Sequence, residues 1–323
     1  MQDLISQANK VYLDNFSNDT YFERAIFFSW YCSTHDCKFC YMSTQDVEKN
    51  ARRTIQSLLA EVILCKACGW QIGFVSGGHD AYTTVEFESV LGQLSSVSEE
   101  KLWINVGALN KVELSRFLPY AKGVVASIET INPSVHDLVC PSKPIAPFEL
   151  MLEAASSLGL KKAMTIILGI GESMHDFPLL EKFISKHDVD KIHFYILNPQ
   201  KGTFFENAKR PSAEYQAEWI ARTRIAFPTI DIQAGIWLDC VDRVELLLKA
   251  GANSISKFPA IRYFGSIEAK KLEDCAQKAG RKFIGSLVHM PDEDFSSLLK
   301  RVMPNLLEAT RSKLDMYLRQ MGK

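Results

Sequence analysis

Short apolar runs alternate with amphipathic stretches along most of the chain, and this alternation is what most limits its fold. The runs fall at 25–30, 71–76, 102–106, 123–128, 163–168, 191–197, 230–234 and 252–255. Between and after them, segments 54–68, 87–97, 147–158, 178–186, 213–226, 241–250 and 267–279 carry apolar residues at helical spacing. Strands separated by helices of this length pair in parallel, with the helices packed outside. Eight such units predict an α/β fold, a complete (β/α)8 TIM-type barrel. A doubly wound open sheet gives a similar string, so closure rests on the count of eight. The expected organisation is an N-terminal helical lead-in over 1–22, the barrel over 23–287 and a C-terminal helical extension over 288–323. In that extension Phe295, Leu298, Leu299, Val302, Met303, Leu306 and Leu307 recur at helical spacing and are expected to pack against the barrel.

Charge and composition narrow the function classes. The 323 residues carry a formal net charge of −1, which leaves no basic footprint for nucleic acid. No run of 18 or more apolar residues suggests a membrane span. The first residues, Met1-Gln2-Asp3-Leu4-Ile5, lack a basic stretch leading into an apolar core, so no secretory signal is expected. Eight cysteines in such a chain argue for metal or packing roles in a reducing cytoplasm, not for a disulfide framework.

Three of those cysteines, Cys32, Cys37 and Cys40, form the spacing C-x4-C-x2-C directly after the first apolar run. Chemistry in a barrel of this kind sits at the C-terminal ends of the strands, and that is where this loop falls. Three thiolates so close in sequence suit three irons of a [4Fe–4S] cube, leaving the fourth iron open to a small molecule. Cys37 and Cys40 alone also fit half of a zinc knuckle. The other pair at that spacing, Cys65 and Cys68, lies on a helix and reads as small buried hydrophobes.

Other strand ends carry candidate binding groups. Ser76-Gly77-Gly78-His79-Asp80 follows the second run, and its two glycines would let backbone approach a ligand. The fourth run places Ser127 and Glu129 on one side, the carboxylate suited to accept from ribose hydroxyls or else a solvated loop acid. The fifth ends in Ile167-Leu168-Gly169-Ile170-Gly171-Glu172, apolar and then glycine-rich. That pattern suits an adenine edge, or merely the start of the next helix.

Together these residues resemble the radical S-adenosylmethionine (SAM) superfamily, and within it the biotin synthase-like branch, over roughly residues 4–285. The resemblance implies a [4Fe–4S] cluster on Cys32, Cys37 and Cys40 with SAM on the open iron. It places Phe39 near adenine, Ser76, Gly77 and Gly78 at the SAM amino group, and Ser127 and Glu129 as the polar pair on strand 4. Ile167 and Gly169 match the strand-5 motif, and Lys143 falls where relatives carry a basic residue able to pair with a carboxylate of the cofactor. Lys201-Gly202-Thr203 and 250–255 are also typical of the branch. Two departures stand out: His79 replaces a usual glutamate, and four residues rather than three separate the first two cysteines.

The resemblance also excludes. Biotin synthase holds a second, [2Fe–2S] cluster, and at its ligand positions this chain has Phe74, Trp103, Ala163 and Asp231. A conventional biotin synthase is therefore not expected. Cys140 and Cys240 follow strands 4 and 7, and Cys275 lies inside a late helix. These three are the candidates for a second [4Fe–4S] cluster. With one, the favoured reaction is sulfur insertion as in lipoyl synthesis, on an octanoyl chain carried by a protein and alongside a second radical SAM protein. If the three thiols are scattered, a radical rearrangement or fragmentation enzyme gains, of the methylornithine synthase or hydrogenase-maturase type. A non-enzymatic iron–sulfur carrier is the third reading. A reductant protein such as ferredoxin or flavodoxin is an implied partner. Strand alternation makes Asn105, Thr165, His193, Tyr195, Asn198, Gln233 and Trp237 candidates to face the lumen.

Overall fold

The computed structural model describes residues 1–290 and 295–322. Eight strands form a closed barrel: β1 (Asp19–Phe27), β2 (Gln71–Ser76), β3 (Leu102–Asn105), β4 (Ala121–Glu129), β5 (Lys161–Leu168), β6 (Lys191–Ile196), β7 (Asp231–Gly235) and β8 (Ser254–Ser256). Neighbours pair in chain order and in parallel, and β1 closes the ring by pairing with both β2 and β8. A ninth short strand, β9 (Lys282–Ile284), adds in parallel to the start of β1. The (β/α)8 expectation therefore holds. Strand β6 is buried at every residue, as a parallel strand covered on both faces must be.

The helices are α1 (Gln2–Asn15), α2 (Ile55–Ala67), α3 (Thr84–Ser98), α4 (Lys111–Phe117), α5 (Pro133–Val139), α6 (Ala146–Ser157), α7 (Phe177–His187), α8 (Ala213–Ala226), α9 (Val244–Lys249), α10 (Ile267–Lys278), α11 (Ser296–Leu299) and α12 (Pro304–Gln320). Local chemistry starts several of them. Thr83 and Glu86 close a reciprocal capping box on α3, and Asn110 and Glu113 do the same on α4. None of the described helices is long and apolar enough to cross a membrane.

The two flanking segments pack outside the ring. Helix α1 lies on α8 and α9, with Tyr12 beneath the Arg281 guanidinium at 3.6 Å from the ring centre. Helix α12 covers α2, which explains why α2 is buried almost all round rather than along one stripe. The Tyr317 hydroxyl on α12 sits 2.7 Å from Ser57 Oγ and accepts from Arg53 at 2.9 Å. Arg53 in turn donates to the carbonyl of Phe27, the last residue of β1. Residues 291–294 and Lys323 of the expected extension lie outside the described residues.

Strand β1 begins well before the apolar run read for it. Residues 19–24 look polar because Glu23 is inside the barrel, paired with Lys191 from β6 at 2.6 Å. Hydrophobic pattern misses a strand whose lumen side carries a compensated charge. Cys65 is fully buried on α2, and the Cys68 thiol lies 3.9 Å from Met290 Sδ.

Candidate active site at the C-terminal ends of the strands

The triplet loop leaves β1 and is held by hydrogen bonds to neighbouring segments and within itself. Lys38 N donates to Val139 O at 2.8 Å, Ser33 N to His79 O at 3.1 Å, and Phe204 N to Lys38 O at 3.2 Å. Cys40 N turns back to Cys37 O at 3.0 Å. His79, the residue in place of the usual glutamate, forms a 3.1 Å hydrogen bond with Thr34 Oγ1 and so braces the same loop. Gly78 is fixed by space as well: a Cβ there would meet Tyr31 O at 1.9 Å and Cys32 Cβ at 2.6 Å. At Gly77 a Cβ would meet the Phe28 ring at 2.3 Å. Both glycines are thus required by packing against the stretch that carries Cys32, whatever they offer a ligand.

A cavity of about 290 Å³ opens at this end of the barrel. Cys32, Cys37, Cys40 and Phe39 line it from the β1 loop, and Ser76, Gly77 and Gly78 from β2. Ser127, Glu129 and Lys143 line it from β4 and the segment beyond, and Ile167 from β5. Gly169 is placed elsewhere. Its amide and that of Ile170 donate to their own Glu172 at 2.7 and 3.0 Å, and Pro211 fills the space beside its Cα.

Glu129 is a buried ion-pair partner and not a solvated loop acid. It accepts from Lys143 Nζ at 2.7 Å and from Thr165 Oγ1 at 3.1 Å. Burial alone would lower the Lys143 pKa; the Glu129 carboxylate overrides this and raises it. The residue sits where β4 slips register against β5 between Ala126 and Glu129, and its φ is +66°. Ser127 donates to Asn105 Oδ1 at 2.8 Å. Cys37 is held below the usual thiol range by the Cys140 thiol hydrogen-bonded to it, against burial and aided by Lys143. Burial pushes Cys40 up to about 11.

The three thiols read as a second cluster site are placed in different surroundings. Cys140 packs with Ile170, Leu197 and Val139 and contacts Cys37. Cys240 lies in the short 3-10 turn Leu238–Arg243, within 3.5 Å of Arg210 Nη1. Cys275 is on α10, against the backbone of Glu245 in α9. Among the described residues, no three His, Cys, Asp or Glu side chains converge as ligands of a single ion. A cube of four irons spaces its thiolates more widely than one ion does. A fit therefore requires three cysteines facing one cavity, which Cys32, Cys37 and Cys40 meet and the other three do not.

The lumen carries an apolar and a polar group of side chains, which meet at Tyr195. Phe74, Trp103, Val125, Ala163 and Tyr195 form an apolar cluster separate from the main core. Phe74, Trp103 and Ala163 are three of the positions where biotin synthase has cluster ligands. The fourth, Asp231, pairs with Lys191 at 2.9 Å. In the polar group Glu23 accepts from Lys191, from Ser254 Oγ at 2.6 Å and from Gln233 Nε2 at 2.7 Å. Gln233 Oε1 accepts from Ser256 at 2.8 Å and from Tyr195 at 3.1 Å, and lies 2.9 Å from His193 Nδ1. Of the expected lumen residues, Asn105, Thr165, Tyr195, Asn198 and Trp237 line the cavity, while His193 and Gln233 are buried beneath it.

Sequence reading did not single out Lys257, which also lines the cavity. It is the first residue after β8, and its Nζ lies 4.6 Å from the centre of the Tyr195 ring. That place at the catalytic end of a strand was the available signal.

No family model matches the chain. It is 36% identical to an uncharacterized protein of Methanocaldococcus jannaschii over 88% of this chain and 81% of that one. It is 24% identical to 3-methylornithine synthase of Methanosarcina barkeri, covering 79% and 74%. With biotin synthase of Thermotoga neapolitana it shares 23% identity, covering 71% and 80%. In shape it matches a crystal structure of methylornithine synthase with a TM-score of 0.69, at 19% identity, over 97% of this chain and 91% of that one. The chain belongs to the radical SAM superfamily, in its biotin synthase-like branch.

Proposed function

We propose that Cys32, Cys37 and Cys40 hold a [4Fe–4S] cluster. We place SAM against Phe39, Ser76, Gly77, Gly78, Ser127, Glu129 and Ile167, with a small substrate deeper in the lumen. The observation that carries this is the convergence of these residues, from four separate strand ends, on one cavity. Bound there, cluster and SAM would supply a 5′-deoxyadenosyl radical able to take a hydrogen atom from an unactivated C–H bond. The chain's own part is position and shielding. Glu129, fixed by Lys143 and Thr165, keeps lone pairs aimed into the cavity. Phe74, Trp103 and Val125 close the lumen below with apolar surface, which keeps water from a reactive centre.

The reaction we favour is rearrangement or fragmentation of a small amino-acid-like substrate, without sulfur insertion. Two observations support it. The thiols suited to a sacrificial second cluster lie apart, and Cys140 is engaged by Cys37. The relation to 3-methylornithine synthase over most of both chains points the same way. A low-potential reductant protein such as ferredoxin or flavodoxin is the partner this chemistry requires. The test is anaerobic incubation of the reconstituted protein with dithionite and SAM. Methionine and 5′-deoxyadenosine are expected in equal amounts, and neither from a Cys37→Ala variant. Binding of SAM without cleavage would return the protein to the carrier reading.

A further inference from the structure

Cys140 differs from the other thiols outside the triplet in what it touches. It is 1% exposed and does not line the cavity. Its side chain packs in a small cluster with Val139, Ile170 and Leu197. Cys37 packs against that cluster and also lines the cavity. Cys140 therefore reaches Cys37 from the protein side, and the two thiols are hydrogen-bonded. The backbone holds the pair in place. Lys38 N donates to Val139 O at 2.8 Å, which joins the residue after Cys37 to the residue before Cys140. Cys140 N donates to His136 O at 2.8 Å, and Lys143 N to Cys140 O at 3.0 Å.

The chemistry of the pair decides which sulfur donates. A cysteine that ligates iron is a thiolate and has no proton to give. A thiol buried among apolar side chains keeps its proton. Hydrogen bonds to the sulfurs help set the potential of an iron–sulfur cluster, because a donor draws off negative charge and favours the state with one more electron. Resting on the cluster proposed above, we infer that Cys140 acts through Cys37 as a positioning residue for electron transfer. Its S–H donates to the Cys37 thiolate and raises the reduction potential of the cluster, which makes the first electron easier to deliver. At Cys40 the matching donor is the main-chain amide of Met42. At Cys37 it is a side chain, so substitution isolates its effect.

The experiment is a redox titration of the anaerobically reconstituted protein without SAM, followed by the electron paramagnetic resonance of the reduced cluster. Wild type, Cys140→Ala and Cys140→Ser are compared, with iron counted in each. Cys140→Ala is expected to keep its iron and to move the midpoint to lower potential, the reduction equilibrium falling by roughly 3- to 10-fold, the weight of one hydrogen bond. Cys140→Ser restores a donor and is expected to return the midpoint toward that of wild type. Cys140→Val, which has no donor but fills the space, takes the place of Cys140→Ala if that variant holds no iron. A midpoint in the apolar variant equal to wild type or higher overturns the inference. So does a Cys140→Ser midpoint as low as that of the apolar variant. A cluster lost in both apolar variants overturns it too, because Cys140 then holds the loop and does not tune the cluster. A wild type with no iron on the triplet defeats the function proposed above; about four irons with a midpoint indifferent to Cys140 defeats this inference alone.

Discussion

The floor of the lumen and its mouth are built on opposite plans. On the floor Glu23, Lys191 and Asp231 neutralise one another, and Ser254, Gln233 and Ser256 extend the network. At the mouth the backbone is strained instead. Among the described residues six non-glycines have positive φ, and two of them, Glu99 and Asp188, merely end helices α3 and α7. The other four, His35, Asp80, Glu129 and Lys257, lie in the loops or strand ends around the cavity. The lesson is a division of labour. The floor fixes the ring so that the mouth can carry strained, polar and thiol-bearing residues.

The largest effect should come from breaking the floor. Lys191→Met removes the counter-charge of buried Glu23 and of Asp231, and is expected to cost about 3–5 kcal/mol in urea unfolding. Iron bound per folded chain should stay at the wild-type level. A loss of iron with little loss of stability would show that the two regions are not separable in this way.

Acid should act on the floor next. Burial holds the His193 imidazole down at about 4, with Lys191 adding to the effect. Between its ordinary value near 6.5 and that folded value, the unfolded chain takes a proton that the folded chain refuses. Stability therefore falls as pH drops through this window, by on the order of 3 kcal/mol. Burial would raise the Glu23 carboxyl, but Lys191 overrides it and holds the group at about 2. A depressed carboxylate keeps its contribution above the unfolded value, so further stability is lost from about pH 4.5 downward. His193→Asn, which keeps an N–H for Gln233, should flatten the curve between pH 6.5 and 4. A variant with the wild-type slope would place that titration elsewhere.

A smaller loss of stability with a larger loss of function is expected at the mouth. Gly78→Ala must displace Tyr31 or Cys32, at about 1–3 kcal/mol. Its iron content should fall well below that of Lys191→Met. Equal iron in the two variants would mean that the cysteine loop tolerates movement.

The mouth was more legible in the sequence than the floor. The triplet, Ser76 to Gly78, Ser127 with Glu129, and Ile167 all stood in recognisable short patterns, because strand ends must supply ligand groups at fixed offsets. The partnership of Glu129 with Lys143 was not readable, since it depends on how the segment after β4 folds back. Glu23 disguised the true start of β1, because a buried charge looks like surface until its partner, 168 residues away, is known. Lys257, exposed yet lining the cavity, was missed because a lysine after a strand belongs to no recognisable short pattern. Cys140 and Cys240 shared a plausible end of the barrel in sequence, with Cys275 inside the helix after strand 8, yet a cluster needs side-chain convergence, which strand order alone does not provide.

The most direct test is to count iron and acid-labile sulfide after anaerobic reconstitution of wild type and of the Cys32/Cys37/Cys40→Ala variant. The account predicts about four irons per wild-type chain and essentially none in the variant, one cluster held at the mouth alone. About eight irons in wild type and about four in the variant would contradict it, establishing a second cluster and restoring sulfur insertion as the leading reaction.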